Sequence, residues 1–329
     1  MKRRTNASII CFIMAILFGM GAAAAWAGPV TFKAVAFLPA NNANVAGFNI
    51  FMEKMNQKFK NDIHIELLGG PEVTPPFQLH EAVKNGVIDM CVTSCGYYPS
   101  LLWEAQSAMF TNKDYLQEVA KTDYYKIMRS MHKEKGLIWL GPGTLKDTFH
   151  LYTNVELKIP EDLSGKKIRV FPPFIPLMKA VGAAPINLPI GDIYTAMERG
   201  AIDGFVQSPL GVVTDFSWHE VTDYALVHPL YKAVAVILVN PEKWNKLSPE
   251  LQKAIIEYKD TVINQAIADY YANLRQERWD LMVEKGIKPI EFSEEDGERF
   301  LQTAYDAAWD HIIEKSPELG PKLKEMLVK

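Results

Sequence analysis

The sequence runs to 329 residues with a formal net charge of −4, 48% hydrophobic and 22% charged residues. That length suits two α/β lobes rather than one small domain. The mild acidic balance, with no strongly basic segment past the first residues, excludes a nucleic-acid surface, and nothing beyond residue 27 is apolar for long enough to cross a membrane.

Met1 to Ala27 reads as a secretory signal. Lys2, Arg3 and Arg4 form a basic start, Ile9 to Met20 an apolar core too short to span a bilayer, and Ala25-Trp26-Ala27 supplies small residues for cleavage after Ala27. Cys11 lies inside the apolar core, which argues against a lipid anchor. The mature protein is therefore expected to be soluble and exported. Its two cysteines, Cys91 and Cys95, would be separated by roughly 13 Å in an extended strand, beyond disulfide reach, so buried thiols are expected.

Val30 to Phe37 alternates as a strand, and a polar turn, Leu38 to Ala43, leads into a helix from Asn44 to Phe59. Ile63 to Leu67 makes the next strand, Gly69-Gly70-Pro71 breaks the chain, and a helix from Phe77 to Asn85 precedes a strand from Val87 to Thr93. This βαβαβ order predicts a parallel sheet with right-handed crossovers. Gly69-Gly70 lacks the Gly-Lys-Ser/Thr of a phosphate loop and reads as a plain turn. Ser94, Tyr97, Tyr98 and Trp103 follow the third strand, where aromatic side chains can wall a ligand cavity. A helix over Tyr115 to Lys133 and a buried strand, Leu137 to Leu140, complete this part.

From Asp147 the second lobe begins, with Phe149 to Tyr152 as a strand. Ile168, Val170 and Phe171 give the β-branched and aromatic content of another, ended by Pro172, which cannot donate to a ladder. Arg169 thus lies at a strand's carboxyl end, where ligands dock in open α/β sheets, and its guanidinium matches a carboxylate with two parallel hydrogen bonds. A helix (Phe174 to Val181), a strand (Ala184 to Leu188), a helix (Ile190 to Arg199) and a strand ending at Gln207 and Ser208 follow. Leu226 to Tyr231 and Val234 to Val239 read as two more strands, the latter buried on both faces and returning to the first lobe. Ser248-Pro249-Glu250 starts a helix of about 36 residues, long enough to brace both lobes. A helix from Glu294 to Lys315 closes the chain. The expected fold is α/β and two-lobed with multiple hinge crossings, lobe I over 28–146 plus 233–272 and lobe II over 147–232 plus 273–329.

The run Pro160-Glu161-Asp162-Leu163-Ser164-Gly165-Lys166-Lys167-Ile168-Arg169-Val170, with Val181-Gly182-Ala183 and the segment Tyr194 to Gly204, resembles the DctP-type solute-binding subunits of TRAP (tripartite ATP-independent periplasmic) transporters. The resemblance extends to Gly69-Gly70-Pro71-Glu72-Val73, Tyr97-Tyr98-Pro99 and Leu247 to Gln252, and covers nearly all of the mature chain. It implies a periplasmic binding-protein fold, a membrane permease as partner, and a substrate carboxylate held by Arg169. Sialic-acid-binding members carry a second arginine where this chain has Phe149. An asparagine often found before the proline after the Asp-Gly segment is replaced here by Gln207 or Ser208, either of which could serve.

No nucleophile elbow, metal-binding histidine pair, Walker loop or dinucleotide fingerprint is present, so no catalytic residue, metal or cofactor is expected. An enzyme using His219 or Asp203 would lack a nucleophile with an adjacent base. Phe37, Tyr97, Phe149, Phe171 and Trp218 near one strong cation favour a small monocarboxylate, 2-oxo, 2-hydroxy or aromatic. A sulfonate or dicarboxylate is the alternative, and a sensor-associated binding subunit would share the pocket. A monomer is expected.

Overall fold

The computed structural model describes residues 28–329, and the secretory signal read over 1–27 lies outside them. Two sheets organise the chain. The first has five strands, β1 (Val30–Ala36), β2 (Ile63–Gly69), β3 (Met90–Ser94), β4 (Ile138–Pro142) and β10 (Ala235–Val239), in the order β2-β1-β3-β10-β4. The second has six, β5 (His150–Thr153), β6 (Lys167–Val170), β7 (Ala184–Asn187), β8 (Gly204–Gln207), β9 (Tyr224–Leu226) and β11 (Lys288–Ile290), in the order β11-β9-β5-β8-β6-β7.

β1 pairs in parallel with both β2 and β3, as the βαβαβ order requires. β10, Ala235-Val236-Ile237-Leu238-Val239, is buried throughout and runs antiparallel between β3 and β4. Its direction follows from its origin, since the chain re-enters the first sheet from the cleft side. In the second sheet β6 is parallel to β7 and β8, whereas β5 runs antiparallel to β8 and β9.

The lobes are joined at residues 143–149 and 227–235, which hydrogen-bond to each other: Phe149 N–H donates to Tyr231 O at 2.9 Å, Ala233 N–H to Asp147 O at 3.0 Å, and Thr148 bridges Lys232. A third crossing is the helix 249–284. Ser248 Oγ caps its start, accepting from Leu251 N–H at 3.2 Å, and Pro249 occupies the first turn. A single π-helical turn, Lys259–Ile263, interrupts it. Ile263, Ile267 and Tyr271 are buried in the first lobe's core, whereas Met282 joins the core of the second and Trp279 packs on His150 at 4.7 Å. The helix braces both lobes.

Three segments depart from the sequence reading. Tyr115 to Lys133 is helical only over Tyr124–Glu134; Asp114 accepts from the Leu116 and Gln117 N–H groups and turns the chain earlier. Leu226 to Tyr231 is a strand only to Leu226, because Pro229 lacks a donor and 230–231 pair with Phe149 across the hinge. The helix Glu294–Lys315 does not close the chain: Gly320–Leu327 forms another, with Pro321 in its first turn where a missing N–H costs nothing. Leu327 O accepts from Thr111 Oγ1 at 2.7 Å, docking this last helix on the 3-10 stretch Trp103–Phe110.

Candidate ligand-binding site

Strand direction gathers the site. The parallel strands β1, β3 and β4 point their carboxyl ends toward the interlobe cleft and antiparallel β10 its amino end, so Ala235 pairs with Ser94. In the second sheet the ends of β6 and β8 meet the start of β5, where His150 pairs with Gln207. Between the two edges lies a small cavity of about 30 Å³. Phe37, Ser94 and Tyr97 line it from the first lobe, and Phe149, Phe171 and Gln207 from the second.

Aromatic packing crosses the cleft. Tyr97 meets Phe171 edge-on at 5.7 Å, Phe37 at 6.1 Å and Phe77 at 4.5 Å, and Phe171 packs on Phe149 at 5.4 Å. Polar contacts also hold the lobes together: Ala43 N–H donates to Asp215 Oδ2 at 2.9 Å and Asn44 Nδ2–H to Leu210 O at 3.3 Å. Gly96 lies so near the opposite lobe that a Cβ there would stand 2.6 Å from Pro173 Cγ and 2.7 Å from Phe171 Cε2. The cleft is closed.

Arg169 is 1% exposed. Its Nε–H donates to Leu188 O at 3.0 Å, and among the described residues no Asp or Glu oxygen lies within ion-pair distance of the guanidinium. Glu161 and Asp162, its nearest acids in sequence, are occupied elsewhere: Glu161 pairs with Arg299, and Asp162 accepts from the Lys158 and Ile159 N–H groups. Burial pushes the guanidinium below its usual range, with the Tyr97 phenol beside it opposing the shift. Arginine nonetheless remains a cation. Arg169 stands next to the cavity wall rather than in it, and Tyr97, which is in the wall, is its polar neighbour.

The other sequence-chosen residues separate. Gln207 reaches the wall, whereas Ser208 accepts from Leu210 N–H at 3.1 Å and lies beside Asp147. Trp218 does not line the cavity; it is buried in the second lobe's core, stacked on Phe216 at 4.4 Å and edge-on to Phe205 at 5.0 Å. Cys91 and Cys95 are buried free thiols, with burial pushing Cys95 up to about 12. Asn44, Thr144 and Ile190 also line the cavity and escaped the sequence reading. Thr144 and Ile190 follow the exits of β4 and β7, a position that was the available signal, whereas Asn44 lies in the 3-10 turn Ala43–Val45.

The chain matches the family model for bacterial extracellular solute-binding protein, family 7 (DctP), over residues 34–316. It is similar to a solute-binding protein of Roseobacter denitrificans, 22% identical with 90% of this chain and 91% of that one covered. It is also similar to the 2,3-diketo-L-gulonate-binding periplasmic protein YiaO of Escherichia coli, 30% identical over 51% of each. Among solved structures, a TRAP periplasmic solute-binding protein from Desulfovibrio salexigens with bound orotic acid superposes with a TM-score of 0.81, 16% identity, and 91% and 97% of the two chains covered. This fold and family are those of transport binding proteins rather than enzymes. With its two sheets, its hinge crossings and a matched segment spanning both lobes, the chain belongs to the DctP family of TRAP-type solute-binding proteins.

Proposed function

We propose that this protein captures a small organic acid with one carboxylate in the interlobe cavity and hands it to the permease subunits of a TRAP-type transporter. The observation that carries this reading is Arg169, a buried cation without an acidic partner among the described residues, at the edge of an aromatic-walled cavity. A buried charge is costly until it is paired, so a visiting carboxylate gains what the protein withholds. The carboxylate pairs with the guanidinium fork beside the Tyr97 phenol. Gln207 and Ser94 offer hydrogen bonds to the remaining polar atoms of the ligand, and Phe37, Phe149 and Phe171 cover its body. One strong cation suits one acid group. The relatives named for 2,3-diketo-L-gulonate and orotic acid each take a ligand of that kind.

The test is a thermal-shift screen against 2-oxo, 2-hydroxy, uronic and aromatic monocarboxylates, with dicarboxylates and sulfonates as competitors. A ligand that binds only the native state raises the melting temperature by mass action. Monocarboxylates should give the largest shifts. A folded protein that responds to dicarboxylates alone contradicts the single-clamp reading.

A further inference from the structure

Behind the hinge, sharing Ala233 and Val234 with the wall of the ligand cavity, lies a second concavity of about 430 Å³. It is walled by both crossing segments and by the bracing helix. Among its cations, Lys146 pairs with Asp114 and Lys329 with Glu118, and Lys113 Nζ donates to the carbonyls of Glu325 and Met326. Two remain without an acidic partner among the described residues, Lys232 and Arg275. Arg275 Nη1–H donates to Thr148 Oγ1 at 3.3 Å, and Thr148 is the strand partner of Lys232, so both positive charges are held against one hinge bridge. The Lys232 amine makes no hydrogen bond there, and its charge is disfavoured by burial and by Arg275. Asp147 lines the same concavity, 1% exposed, with neither carboxyl oxygen hydrogen-bonded. Burial pushes that carboxyl up to about 7, which lowers the negative charge facing the two cations near neutral pH.

We propose that the back of the hinge is a second binding site, for a small oxyanion with the chemistry of inorganic phosphate, held between Lys232 and Arg275 with Thr148 and Asp147 beside it. Two like charges held side by side in a concave, partly dry site repel until an anion lies between them, and a charge-assisted hydrogen bond to each repays the ordering. Chloride has the charge without the hydrogen-bonding geometry. Because the ligating groups come from both crossings and from the bracing helix, an oxyanion bound there ties the hinge to its brace. The site is independent of Arg169 and of the ligand cavity.

Equilibrium dialysis of radiolabelled inorganic phosphate against the mature protein, at constant ionic strength in sodium chloride, tests this. Saturable binding of one phosphate per chain is expected in the wild type and in Arg169→Ala, weakened at least about tenfold in Lys232→Ala and in Arg275→Gln, since each removes one of two charge-assisted partners. Lys232→Arg keeps the charge on a side chain that bonds to nothing else and should retain binding, which separates loss of the site from loss of the fold should Arg275→Gln not fold. No saturable phosphate in the wild type overturns the proposal. So does binding that is lost in Arg169→Ala and kept in Lys232→Ala, which would place the anion in the ligand cavity.

Discussion

Replacing Arg169 with methionine separates a clamp from a strut. A structural ion pair would leave a stranded partner acid when broken and lower stability; here no acid faces the guanidinium among the described residues, and the substitution removes a single Nε–H···O hydrogen bond to Leu188. That bond is worth about 0.5–1.5 kcal/mol net, and its removal is offset by relief from burying an uncompensated cation, which costs several kcal/mol. Methionine fills most of the volume, so the unliganded variant should melt at or above the wild-type temperature. Affinity for the carboxylate identified by screening should meanwhile fall by about 2–5 kcal/mol, roughly 30-fold to several thousand-fold, the range for truncating one partner of a buried hydrogen-bonded charge pair. Isothermal titration calorimetry beside differential scanning calorimetry reads both quantities. A variant that is destabilised yet binds within threefold of wild type refutes the reasoning, because the arginine would then be a strut.

Four further outcomes are expected. Arg169→Lys should also weaken binding by at least about 1 kcal/mol in the same titration, since an ammonium cannot reproduce the planar fork. Gly96→Ala places a Cβ within 2.7 Å of Pro173 and Phe171 across the cleft, so small-angle scattering should show the ligand-saturated variant staying open, with affinity reduced at least tenfold and stability changed by no more than about 1 kcal/mol. Asp147→Asn should stabilise the protein at pH 8 by on the order of 2–4 kcal/mol and hardly at all at pH 4. The carboxyl's folded pKa is raised to about 7, so its contribution is whole below the unfolded value near 4 and is lost as pH climbs through about 7; urea titrations at the two pH values give the comparison. Lys259, buried in the π-turn with its amine bonded to Pro142 O and pushed down to about 7, works in the opposite sense: stability should climb from about pH 7 toward the unfolded value near 10.5, and Lys259→Met should flatten that climb.

Where periodicity and strand-end logic apply, the sequence was legible. β10 announced itself as an unbroken apolar run, the bracing helix by Ser248-Pro249-Glu250 and an apolar stripe without a breaker, and Arg169 as a lone cation in a strand stopped by prolines. Phe37, Tyr97, Phe149, Phe171 and Gln207 all converge on one cavity because each sits at a strand exit or entry on the cleft side. Trp218 has no such register: it follows Ser217, held at φ 53°, and packs into the second lobe's core instead. Asn44 and Thr144 could not be chosen from composition alone, because their place in the wall depends on lobe closure. The unpartnered state of Asp147 and Lys232 was equally invisible, since it arises from three segments distant in sequence meeting at the hinge.

The most direct measurement of the central claim is a crystal structure of the protein with the organic acid that it retains through purification or binds in the screen. The ligand's carboxylate is expected within hydrogen-bonding distance of both Arg169 Nη atoms. A bound acid whose carboxylate is held by other groups, away from Arg169, would contradict the Arg169 clamp.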